Sequence, residues 1–136
     1  MRALFVVLVL SACGAAKPTA TPAPPPPPAT PLTDDEVIAK MTTFYSEIGS
    51  ASATLQPDCP KMAAALDKAI TDRFAVIDEM AAWVRATPPP QRQAAVDKHA
   101  NEILEASNDY VRVTQLCKDE PAMITAVQKL ERRLKQ

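Results

Sequence analysis

The chain has 136 residues, 47% hydrophobic but only 4% aromatic, with a formal net charge of -1. That length suits one small domain with an aliphatic, alanine-rich core, and the interspersed charges leave no basic footprint for a nucleic-acid partner. Two glycines against 14 prolines favour helices over hairpins, whose tight turns draw on Gly, Asn and Asp.

The first twelve residues read as an export signal. Arg2 is a short positive region, and Ala3 to Leu10 is an apolar run far too short to span a bilayer. Small residues Ser11 and Ala12 then precede Cys13.

The stretch Leu10-Ser11-Ala12-Cys13 resembles the lipobox of bacterial lipoproteins, whose pattern is Leu, Ala or Ser, Gly or Ala, Cys. The resemblance covers only this N-terminal stretch. It implies a lipoprotein signal peptide over 1-12, a diacylglyceryl thioether on Cys13, cleavage before it, and acylation, such as by palmitate, of the new N-terminus. Several acyl chains on one residue meet the requirement that stable bilayer anchoring takes more than one. Gly14 stands where, in that family, an Asp favours inner-membrane retention. The resemblance therefore implies the outer membrane, on its periplasmic or surface face, if the source is Gram-negative.

Residues 13-32 form a linker rich in Pro, Ala and Thr, with Pro24 to Pro28 unbroken. Such a tract buries little and lacks many backbone donors, so extended polyproline II at ~3.1 Å per residue is expected, up to ~60 Å in all. It reads as a spacer that lifts the domain off the membrane.

The domain spans 33-136. Its first helix opens on the capping box Thr33-x-x-Glu36, with Leu32 and Val37 as the hydrophobic staple. Val37, Met41, Phe44, Ile48, Ala51 and Leu55 make one apolar stripe, and Pro57 ends the helix. Gly49 falls on the polar side, where it costs ~1 kcal/mol relative to Ala. The second helix follows Asp58-Cys59-Pro60 and carries Met62, Leu66, Ile70, Phe74, Ile77, Met80, Ala81 and Val84. Arg73 falls inside this stripe, which predicts a snorkelling side chain paired with an acid such as Glu47. Thr87 is the expected N-cap of the third helix. That helix carries Val96, His99, Ala100, Ile103, Ser107, Tyr110, Thr114 and Cys117. The fourth runs from about Pro121 to the C-terminus on Met123, Val127, Leu130 and Leu134. Its basic stretch Lys129 to Lys135 reads as a solvated face suited to a helix C-terminus.

Short connections favour antiparallel neighbours, so the predicted fold is all-α, an up-down-up-down four-helix bundle with a short fourth helix. In that arrangement Cys59, at the start of the second helix, and Cys117, at the end of the third, share one end. Export to an oxidising compartment permits a Cys59–Cys117 disulfide. It would stabilise the domain by ~4 kcal/mol in the chain-entropy model. Because the fourth helix is short, an apolar groove is expected at the linker end, lined by Val37, Ile38, Ile77, Met80, Trp83, Val84 and Val96. An unidentified protein or small apolar ligand would bind there.

The chemistry-bearing residues form no catalytic constellation. The one histidine, His99, has no triad partners. Two thiols are expected as a disulfide, and no Gly-rich phosphate loop exists. Acidic pairs Asp34/Asp35, Asp78/Glu79 and Asp119/Glu120 read as solubility and helix-dipole residues. No metal site is expected. Met41 and His99 fall at similar levels of the predicted bundle, and in ligand type and architecture this resembles cytochrome b562. That resemblance implies a b-type haem electron carrier with Met41 and His99 as axial ligands. The helix order departs from that family, whose histidine lies on the last helix. The main expectation is thus a non-enzymatic, membrane-anchored binding or envelope-associated module without a cofactor.

Overall fold

The computed structural model describes residues 32-136, and all regular structure there is helical: α1 (Asp34–Ala53), α2 (Cys59–Asp72), α3 (Phe74–Ala86), α4 (Pro89–Lys98), α5 (Ala100–Leu116) and α6 (Pro121–Leu134). The signal peptide, Cys13 and the linker up to residue 31 lie outside the described residues.

Helix starts follow local chemistry. The capping box is formed: the Thr33 amide donates to Glu36 Oε2 at 2.8 Å, and the Glu36 amide donates to Thr33 Oγ1 at 3.3 Å. The Asp58 carboxylate accepts the Lys61 amide at 3.1 Å, with Pro60 in the first turn of α2. Glu120 caps α6 ahead of Pro121. Thr87 is not a cap of α4; it closes α3 in extended backbone, and Pro88 precedes α4 without any side-chain cap bond.

The two long helices expected from the stripes are each interrupted by one residue. Arg73 (φ -113°, ψ 19°) separates α2 from α3, and His99 (φ -112°, ψ 18°) separates α4 from α5. Neither break sits at Pro or Gly, the usual local causes. Both breaking residues instead reach across to α1: Arg73 to Glu47 at 2.8 Å and His99 to Asp35 at 2.9 Å. The stripe that follows the second break keeps its expected phase, with Ile103, Ser107, Tyr110 and Thr114 half-buried and Cys117 buried; Ala100 is the exception. Val113 is fully buried on α5, while Ala100 is exposed.

Charged pairs fix the relative directions. Glu47–Arg73 and Lys40–Glu79 set α1 antiparallel to α2 and α3. Asp35–Lys98 at 2.8 Å near one end and Gln56–Arg112 at 3.4 Å near the other set α1 parallel to the α4–α5 run. Lys129 pairs with Asp67, and Arg133 grips Asp78 through two 2.6 Å bonds, so α6 runs parallel to α2 and α3. The most extensive helix–helix contact is between α1 and α5, followed by α2 with α6 and α1 with α2. Although joined by a short turn, α5 and α6 come close at few points.

The α1–α5 approach explains Gly49. The residue is buried against α5, and a Cβ there would stand 2.6 Å from the Tyr110 amide nitrogen and 3.0 Å from the Asp109 Cβ. Ser52, one turn on, is also buried, and its hydroxyl donates to the Ile48 carbonyl at 3.2 Å. Phe44, Tyr45 and Tyr110 continue the contact as successive edge-on ring pairs, each 5.3 Å between centroids.

The core is aliphatic. Val37, Phe44 and Ile48 of α1 meet Met62, Leu66 and Ile70 of α2, Ile77 and Met80 of α3, and Met123 and Leu130 of α6. At one end Cys59 and Cys117 form a disulfide with Cα atoms 5.5 Å apart, and the buried Met62 sulfur lies 3.9 Å from that of Cys117.

Candidate functional site

The acidic first turn of α1 is tied by side-chain bonds to three other places in the fold. Its placement begins with the capping box, which starts the helix so that Asp34, Asp35 and Glu36 all fall where a carboxylate favours the helix dipole. Each then takes separate partners. Asp34 accepts from the Trp83 indole Nε1 at 2.8 Å and from the Gln91 amide at 2.9 Å. Asp35 accepts from Lys98 Nζ at 2.8 Å and from His99 Nε2 at 2.9 Å. His99 Nδ1 lies 3.2 Å from Glu102. Gln91 and the Lys98 and Trp83 bonds hold the Asp34 and Asp35 carboxyls below the usual carboxylate range. The bonds to Asp35 and Glu102 raise the His99 pKa. This clasp ties the start of α1 to α3, to α4 and to the α4–α5 break.

Beside the clasp opens a cleft of about 760 Å³. Leu32 and Thr33 form one wall, and Ala82, Trp83 and Ala86 of α3 form the floor. Pro88 and Gln91 close the far side. Its surface is mainly apolar; the Trp83 indole and one N–H of the Gln91 amide are engaged by Asp34, and Glu79 and Thr87 add polar groups to the lining.

The cleft lies where a groove was expected but has different walls. Of the seven residues predicted to line it, Val37, Ile38, Ile77 and Met80 are buried at 1%, 1%, 0% and 4% exposure. The helices at this end close over them, with α4 resting on α1 beyond the limit of α6. Trp83 alone faces the cleft; Val96 is half-buried, and Val84, 37% exposed, lies outside it.

His99 does not point a free nitrogen at Met41. Both ring nitrogens face carboxylates, and Met41 is half-buried against the core. An axial haem ligand needs a neutral nitrogen lone pair directed at iron, and reaching one here requires breaking the Asp35 or the Glu102 contact. Among the described residues no group of three or more His, Cys, Asp or Glu side chains is arranged to hold a metal ion. No described helix is long and apolar enough to cross a membrane.

Arg73 pairs with Glu47, as its place in the stripe predicts. The acidic residues read as dipole and solubility groups do more than that. Asp34, Asp35, Asp78 and Glu79 each bind another helix. Gln91 carries no sequence signal at all; its partner is 57 positions away. No family model, curated protein or solved structure matches this chain.

Proposed function

We propose that this chain is a membrane-anchored bacterial lipoprotein whose helical domain is a non-enzymatic binding or envelope-associated module. The signal peptide is removed after Ala12, Cys13 carries the acyl chains, and residues 13-32 hold the domain off the bilayer. The observation that carries this reading is the four-residue motif Leu10-Ser11-Ala12-Cys13, placed directly after a short apolar run and before a proline-rich tract. The Cys59–Cys117 disulfide supports it independently, because such bonds persist in oxidising compartments outside the cytosol.

The six helices then count as four rods, with α2–α3 and α4–α5 each a single interrupted rod, in an up-down-up-down bundle. The directions set by the ion pairs support this count. In a Gram-negative source the anchor lies in the outer membrane. Membrane fractionation of the wild-type chain and of Cys13→Ser tests the reading: the wild type sediments with membranes and the variant does not. A wild-type chain found wholly in the soluble fraction contradicts it.

A further inference from the structure

The cleft beside Trp83 has an occupant of matching chemistry in the same chain. We propose that the proline-rich segment 24-31 docks back into the cleft, laying its rings on the Trp83 face.

Three observations point there. First, the linker joins the domain inside the cleft, because Leu32 and Thr33 are part of its wall. Second, Thr33 holds φ -70° and ψ 159°, fixed by the capping box. These are close to polyproline II values, the conformation expected of a proline-rich chain. Third, the cleft is mainly apolar, with the Trp83 ring and the Ala82 and Ala86 methyls in its lining, while Thr87 and the second N–H of the Gln91 amide, whose other bonds Asp34, supply donors for a proline chain's carbonyls. The segment Pro-Pro-Pro-Pro-Pro-Ala-Thr-Pro is uncharged and brings few N–H groups. Aromatic-lined grooves take proline-rich chains in this way, because the segment is already ordered and loses little entropy on docking.

The lengths agree. From Glu79 to Ala86 the α3 wall runs ~10 Å at 1.5 Å per residue. Four residues of polyproline II cover ~12 Å, so 28-31 suffice to line the floor and 24-27 extend past it. Docking also shortens the tether. Residues 13-23 remain free and reach ~34 Å instead of the ~60 Å of the whole linker.

The test uses the only tryptophan, which makes fluorescence a reporter of the cleft alone. Acrylamide quenching and the emission maximum of Trp83 are measured on the full-length chain in detergent micelles. Two variants are compared with it: the fivefold Pro24→Ser, Pro25→Ser, Pro26→Ser, Pro27→Ser, Pro28→Ser, and Ala82→Asp, which puts a short charged group into the cleft lining from an exposed helical position without covering the indole. With helical circular dichroism unchanged, both variants show a red-shifted emission and a quenching constant raised about twofold, as expected when an aromatic groove loses its proline-rich occupant. Equal quenching in all three chains overturns the proposal. So does a wild-type indole that becomes protected only when phosphatidylglycerol vesicles are added, which makes the bilayer the occupant.

Discussion

Gly49 and Tyr110 meet at a tight contact between α1 and α5. A methyl group on Gly49 would stand 2.6 Å from the Tyr110 amide nitrogen, which belongs to a helix backbone and has little room to retreat. Two effects compete in Gly49→Ala. Helix propensity favours alanine by ~1 kcal/mol, whereas overpacking a tight contact costs ~1–3 kcal/mol. The short distance decides for the second. Gly49→Ala lowers the thermal midpoint by roughly 5 °C, at ~4–8 °C per kcal/mol for a domain of this size. A raised midpoint contradicts the packing account.

The disulfide closes a loop between residues 58 positions apart. In the chain-entropy model that contributes ~4 kcal/mol, a large share of the ~5–15 kcal/mol typical of a small domain. Cys59→Ala with Cys117→Ala lowers the unfolding free energy by that amount and the denaturant midpoint by that amount divided by the m-value, leaving helix content unchanged in buffer. A midpoint within error of the wild type refutes the contribution.

Phe44 and Leu104 offer a contrast in burial. Phe44 is 1% exposed in the core, while Leu104 on α5 is 71% exposed. Phe44→Ala therefore costs ~3–5 kcal/mol through lost transfer energy and the cavity left behind. Leu104→Ala stays within ~0.5 kcal/mol of the wild type. Chemical denaturation of both variants checks the pair, and a similar loss in each would show that the helix faces are misassigned.

His99 makes stability depend on pH in a definite direction. Protonated, it donates to both Asp35 and Glu102, and this raises its pKa in the folded chain. The contribution is fully present below the unfolded value of ~6.5 and fades as pH rises through the folded value. The neighbouring Lys98 opposes protonation but is outweighed by the two carboxylates. On the acid side, Asp34, Asp35, Glu36, Asp58 and Asp78 are lowered by their hydrogen bonds. Their contribution holds above ~4 and falls away as pH drops through the lowered values. Stability thus peaks between these limits. Thermal midpoints measured from pH 6 to 8 decline in the wild type and flatten in His99→Gln; an equal decline in both removes His99 as the cause.

How much of this was readable from the residues alone follows from the range of each interaction. Caps act within a turn, so Thr33-x-x-Glu36 and Asp58-Cys59-Pro60 were legible and form as expected. The apolar stripes placed Phe44, Leu66, Ile77 and Leu130 in the core because burial follows helical periodicity. The Cys59–Cys117 bond followed from putting two helix ends together. What failed was long-range. The interruptions at Arg73 and His99 coincide with contacts to α1 and carry no Gly or Pro signal in the sequence. Gly49 looked like a lapse on a polar face until α5 was placed against it. The groove was drawn with the right location but the wrong walls, because level-counting along straight rods cannot see α4 folding onto α1. Asp34 and Gln91 meet only in three dimensions.

The most direct measurement of the lipoprotein account is the intact mass of the protein extracted from membranes, with and without reductant. The account predicts a chain beginning at Cys13, heavier than its sequence by a diacylglyceryl group and an acyl chain, that gains the mass of two hydrogens on reduction. An unmodified chain still carrying residues 1-12, or one whose mass reductant leaves unchanged, contradicts it.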